Sequence, residues 1–272
     1  SLAGDQPDLF SGYDVFLIIG QSNAVGSNIG QGDALKDYVD PDIMNWGCST
    51  AYRDQIIIAK DPLDPQFPDI SDSVGLGLTF AKTYKQSLPL RSDRKILLIM
   101  AAVGATQLYN SVWAAGTPTG GIYYEFAIAR ANTALANNAG NILKAMIWVQ
   151  GESDSQNSVS GSNYATALDA LIDGMRARIT GATNCPFVVL GMVPEWIVNT
   201  DSNTTGVIGT RVQINAAHVN TPSRRYYTSF TAGPANSNRG GSSMVHYTAA
   251  GQRLLGGLAF TGYINALANV PP

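Results

Sequence analysis

Four near-continuous apolar runs recur along the chain, and stretches with helical spacing lie between them. Residues 13–20 read YDVFLIIG, 95–103 KILLIMAAV, 143–149 LKAMIWV and 187–192 FVVLGM. Runs that are apolar on both faces are what a parallel sheet covered by helices requires, so strands are predicted at 15–19, 95–103, 143–149 and 187–192. Tyr124, Ile128, Ala131 and Leu135 follow helical spacing, and Tyr164, Leu168, Leu171, Ile172 and Met175 mark one face of a second helix. Further helices are expected over 73–86 and 206–218, and from 248 with Leu254, Leu255 and Leu258 on one side. Short strands are expected near 43–46, 55–59 and 225–228. The stretch 28–68, rich in Asp, Pro and Gly, and the stretch 104–121 read as long loops, which in compact domains are often functional. Repeated β-α alternation without linker or internal repeat predicts one domain over 1–272, a three-layer α/β/α sandwich with a central parallel sheet. No G-x-G-x-x-G follows the first strand and no P-loop motif occurs, which argues against a nucleotide fold.

Composition narrows the chemistry. The 272 residues are 45% hydrophobic, enough for a large core, yet no apolar run approaches the roughly 18 residues of a membrane helix. Only 14% are charged and the net charge is −3, so nothing attracts nucleic acid or an anionic membrane. A small neutral partner such as a sugar suits this surface better. The two cysteines, Cys48 and Cys185, cannot make a metal cluster by themselves and read as separate thiols more readily than as a disulfide. No signal peptide is read in these residues, as expected of a chain with a removed export signal or of part of a longer parent chain. Its start, Ser1-Leu2-Ala3-Gly4, has the look of a processed or engineered one, and an extracellular, cell-surface or virion-surface location is the expectation.

The first strand runs into Gly20-Gln21-Ser22-Asn23, which places a serine where α/β sheets bind ligands. A nucleophilic serine needs a histidine, and the chain has two. His218 lies near the end of a predicted helix, where a partial positive charge is favourable. His246 lies in a polar loop just before the last helix, a suitable place for a base. The strand at 143–149 opens into Gln150-Gly151-Glu152-Ser153-Asp154, and the strand at 95–103 into Gly104, where a backbone N–H can approach a substrate closely. Each part alone has a plain structural reading: Ser22, Glu152 or Asp154 as a helix cap, Gly104 as a turn. Their coincidence at consecutive strand ends points to acyl transfer.

These motifs together resemble the SGNH/GDSL hydrolase superfamily, in its sialate O-acetylesterase and acetylxylan esterase branch (carbohydrate esterase family 6-like), over 15–256. The resemblance implies a flavodoxin-like sheet, Ser22 as nucleophile, His246 as base and no cofactor or metal. It also implies an oxyanion hole from the Ser22 and Gly104 N–H groups and the Gln150 side chain. One departure stands out. The family usually places an Asp three residues before the histidine, and this chain has Ser243 there. Glu152 is then the expected third member, with Asp154 behind it and a Ser–His dyad as the other outcome. Trp113, Tyr109 and Arg53, with Trp46, are candidates for contact with an acetylated carbohydrate, although loop aromatics equally pack under their own loops. The rival readings are a carbohydrate-binding domain on a retired hydrolase fold, which Ser243 would favour, and a lipid esterase or thioesterase.

Overall fold

A computed structural model describes residues 9–26, 32–66, 73–116, 120–200 and 208–272. The expectations for residues 1–4, for parts of both long loops and for 206–207 at the start of a helix fall outside these residues. In chain order the described elements are β1 (Gly12–Gly20), α1 (Ser22–Val25), β2 (Ile43–Trp46), β3 (Ile56–Ile58), α2 (Gly77–Ser87), β4 (Arg94–Met100), α3 (Ile122–Ala136), β5 (Ile142–Val149), α4 (Glu152–Gln156), α5 (Gly161–Arg178), β6 (Phe187–Leu190), α6 (Pro194–Val198), α7 (Ile208–Val219), α8 (Thr221–Arg224), β7 (Thr228–Thr231) and α9 (Ala249–Ala268).

The strands form one sheet in the order β3-β2-β4-β1-β5-β6-β7. Every pairing is parallel except β2 with β3, an antiparallel edge. The most apolar runs occupy the centre. Val15 to Ile19 of β1 and Ile96 to Ile99 of β4 are fully buried, because helices cover both faces. On one side α2 packs on α9, and α9 on β6 and β7. On the other, α5 packs against α3 and α7. Asp14 at the lower end of β1 is tied down by Arg94, whose Nε lies 2.7 Å from Oδ1, and by the Tyr84 hydroxyl at 2.8 Å.

Three expectations are corrected. Helix α2 starts at Gly77 rather than 73, because the Gly75 N–H donates to Asp61 Oδ1 instead of opening a helix. The last strand is Thr228–Thr231, displaced from 225–228. Leu254 does not face the core. It is 55% exposed, whereas Leu255 and Tyr263 of α9 are buried together with small residues that include Gly251, Gly256, Ala259 and Gly262. A Cβ on Gly256 would meet the Leu76 carbonyl oxygen at 2.6 Å and Phe80 N at 2.9 Å. At Gly256 the helix therefore gains its contact by backbone approach, which a larger residue would block.

Candidate active site

The three central strands deliver three motifs to one end of the sheet. Gly20 ends β1 at φ +128, and a Cβ there would overlap the Val149 carbonyl of β5. Only glycine permits this approach. Gln21 N–H then donates to Val149 O at 2.9 Å, and the chain turns into α1 with Ser22 as its first residue. On the opposite side, Val103 N–H donates to Gly20 O at 3.1 Å, which brings Gly104 alongside the same turn. Ala105 follows with a left-handed φ of +56. On β5, Gly151 takes φ +147 and opens α4 at Glu152. A side chain at 151 would meet Met192, His218 and Ile214 at about 3.0 Å.

His246 enters from the segment before α9. Its Nε2 lies 3.0 Å from Ser22 Oγ. The segment is held by Arg239 N–H to His246 O at 3.0 Å, by a bridge between Asn238 and Tyr247, and by Thr248 N–H to Ser237 O at 2.8 Å. Burial first, and then the Arg239 guanidinium, lower the imidazole pKa from its ordinary 6.5. Ser22 and His246 line an open cleft of about 390 Å³ with Gln21, Gly104, Ala105, Glu152, Ser153, Gln156, Arg239 and Val245.

Glu152 is in this cleft wall but is not bonded to the histidine. Its Oε1 accepts from Asn23 Nδ2 at 2.8 Å, and its buried Oε2 has no partner among the described residues. Burial raises this carboxyl to about 7. Among the described residues no carboxylate hydrogen-bonds to His246. Ser243 meets it only through the backbone, its carbonyl accepting the His246 N–H at 3.0 Å.

Gln150 is corrected as an oxyanion donor. It is fully buried and does not line the cleft. Its Nε2 donates to Asp154 Oδ2 at 2.6 Å and Thr106 O at 3.0 Å, and its Oε1 accepts from the Tyr164 hydroxyl at 2.8 Å. Asp154 is corrected too, for its carboxylate is bonded elsewhere and does not line the cleft. It accepts the backbone N–H groups of Leu108 and Tyr109, both at 2.8 Å, and so pins the loop that follows Gly104.

The expected sugar-binding side chains are not in the cleft. Trp113 is fully buried, donates from Nε1 to Thr106 Oγ1 at 2.8 Å and stands edge-on to Trp148. Tyr109 packs on the core, Trp46 is buried in β2, and Arg53 is exposed elsewhere. These loops bury their aromatics beneath themselves, because large apolar faces gain more from the core than from water. His218 is likewise not a helix-end cation. It is fully buried, bonded through Nε2 to the Tyr164 hydroxyl at 3.0 Å, and burial pushes it down to about 3, so it is neutral. Cys48 and Cys185 are both buried free thiols, pushed up to about 12 by desolvation.

Sequence reasoning missed Gln21, Asn23, Ser153, Gln156 and Arg239. Gln21 and Asn23 flank the serine in its own motif, which was signal enough. Arg239 carried none, since it reaches the cleft by a turn that no local pattern announces. Gln21 Oε1 accepts from Ser153 N–H at 3.1 Å, and Gln21 Nε2 has no partner among the described residues. Among the described residues no trio of His, Cys, Asp or Glu is placed to hold a metal ion, and no helix among them is long and apolar enough to cross a membrane.

Comparison with known proteins gives one family and several similar structures. The family model described as carbohydrate esterase, sialic acid-specific acetylesterase, matches residues 12–265. No curated protein matches the chain. A protein of Arabidopsis thaliana solved by X-ray diffraction is similar at TM-score 0.68 and 20% identity, covering 96% of this chain and 99% of that one. NanS is similar at TM-score 0.68 and 16% identity, covering 97% and 98%. A carbohydrate acetylesterase of Xanthomonas citri is similar at TM-score 0.62 and 16% identity, covering 90% of this chain and 55% of that one.

Proposed function

The chain belongs to the carbohydrate esterase family of sialic acid-specific acetylesterases and is a carboxylic ester hydrolase, and from that premise we propose that it removes O-acetyl groups from a sugar by acyl transfer on a Ser22–His246 dyad. The observation that carries the reading is the 3.0 Å approach of His246 Nε2 to Ser22 Oγ inside the cleft. His246 accepts the serine proton as Oγ attacks the acetyl carbonyl. Collapse of the tetrahedral intermediate expels the sugar oxygen, which takes that proton from His246. The histidine then deprotonates a water, which attacks the acetyl-serine, and acetate leaves as the proton returns to Oγ.

The oxyanion of each tetrahedral intermediate is assigned to the backbone N–H groups of Ser22 and Gly104. Gln21, in place of Gln150, is the third donor, because it lines the cleft with Oε1 anchored and Nε2 still to be used. Each such donor is worth roughly 3 kcal/mol in comparable hydrolases. Seven of the ten residues that line the cleft carry polar side chains, which suits a sugar better than a fatty acyl chain. Arg239 at its rim suits an acetylated sugar that also carries a carboxylate, a sialic-acid-like one.

The test is release of acetate from a panel that includes p-nitrophenyl acetate, an O-acetylated sialic acid, acetylated xylan and an octanoyl ester, with Ser22→Ala alongside. Wild type is expected to exceed the variant by at least about 10³-fold in kcat. Equal rates would sustain the retired-hydrolase reading, and preference for octanoyl esters the lipase one.

A further inference from the structure

We propose that Asn23 is the positioning residue for His246: its carboxamide braces the chain on both sides of the histidine, and Glu152 fixes which way that carboxamide faces. The proposal rests on the Ser22–His246 reading above. It gives a task to the asparagine of the Gly20-Gln21-Ser22-Asn23 motif, which the acyl-transfer steps leave unused.

Asn23 is fully buried and directly follows the nucleophile. Its Nδ2 donates to Val245 O at 2.9 Å, and its Oδ1 accepts from Tyr247 N–H at 3.2 Å. These two bonds reach the residues immediately before and after His246. The Asn23 carbonyl in turn accepts from Gln252 Nε2 of α9 at 3.1 Å. The residue beside the nucleophile therefore grips the base's own segment, and His246 cannot move from Ser22 without breaking this brace.

The second Nδ2 hydrogen goes to Glu152 Oε1 at 2.8 Å. Turning the carboxamide by 180° would set Oδ1 against two acceptors, Val245 O and Glu152 Oε1, and Nδ2 against the Tyr247 N–H. All three contacts would be mismatched. Glu152 thus acts on the base at one remove. A carboxyl held near 7 by burial is only partly charged at neutral pH, yet its oxygen accepts from Asn23 in either protonation state. That suits a geometric role better than service as a counter-ion to the imidazolium.

Steady-state kinetics with p-nitrophenyl acetate on Asn23→Ala, Asn23→Asp and Glu152→Gln, each alone and in a His246→Ala background, separates the alternatives. Asn23→Ala is expected to lower kcat about 100-fold with KM unchanged, the scale of a misplaced catalytic group. Asn23→Asp, of the same size, should lose as much, since a carboxylate there faces two acceptors. Glu152→Gln keeps an acceptor for Asn23 and should stay within about threefold of wild type. In the His246→Ala background Asn23→Ala should change the residual rate by less than about twofold, because a residue that acts through His246 has nothing left to position. An undiminished 100-fold loss in that background would overturn the proposal, and so would near-wild-type kcat for Asn23→Ala. Should Asn23→Ala not fold, Glu152→Gln still decides: loss of activity there means the charge itself is required. Full activity of His246→Ala would instead remove the dyad reading itself.

Discussion

At the scale of single residues, His246 sits where its neutral form is favoured. Burial removes water from the imidazolium, and Arg239 repels it. On the proposed Ser22–His246 reading the base must be neutral to accept the serine proton, so a lowered pKa extends activity toward acid. The acid limb of kcat/KM is expected below the ordinary imidazole value of 6.5. Replacing Arg239 with Ala removes the repulsion, raises the imidazole pKa and should move that limb to higher pH, read from a kcat/KM profile between pH 4 and 8. An unmoved limb would show that the guanidinium does not reach the base. Ser22, Gly104 and His246 could be picked out from sequence because their placement depends on the backbone at strand ends and helix starts. Gln150, Trp113, Tyr109 and Arg53 could not be placed that way. A side chain's direction depends on partners such as Asp154 and Thr106, and those become neighbours only in the fold.

At the scale of elements, the segment from β5 into α4 does two jobs with one motif. Gly151 turns the chain, and Asp154 reaches back to hold the loop after β4 by two backbone N–H groups. Asp154→Ala strands those donors and the Gln150 amide. A loss of at least about 3 kcal/mol in denaturant unfolding is expected, with a fall in kcat as Gly104 loosens. Wild-type stability would mean that the loop is held otherwise. The strands β1, β4 and β5 were legible because unbroken apolar runs have few other uses. β7 was not, since Thr228-Ser229-Phe230-Thr231 has no such run and owes its extent to pairing with β6. α9 misled in part: Leu255 and Tyr263 are buried, but Leu254 points outward and much of the buried face is glycine and alanine.

At the scale of the whole molecule, sheet order gathers what the chain keeps apart. β4, β1 and β5 lie side by side, so residues near 22, 104 and 152 meet at one edge. The histidine arrives last, 224 positions after the serine, on a segment anchored by α9. Contacts of such separation close late in folding because the loop they close is long. During refolding from denaturant, esterase activity should return behind far-UV circular dichroism and together with the slowest tryptophan-fluorescence phase. Activity ahead of either would show the site forming without α9. The same geometry acts as a timer during synthesis. On the proposed Ser22–His246 reading, a ribosome-bound chain that displays the serine, its turn and most of the sheet hydrolyses nothing until the segment carrying His246 has emerged and docked with α9.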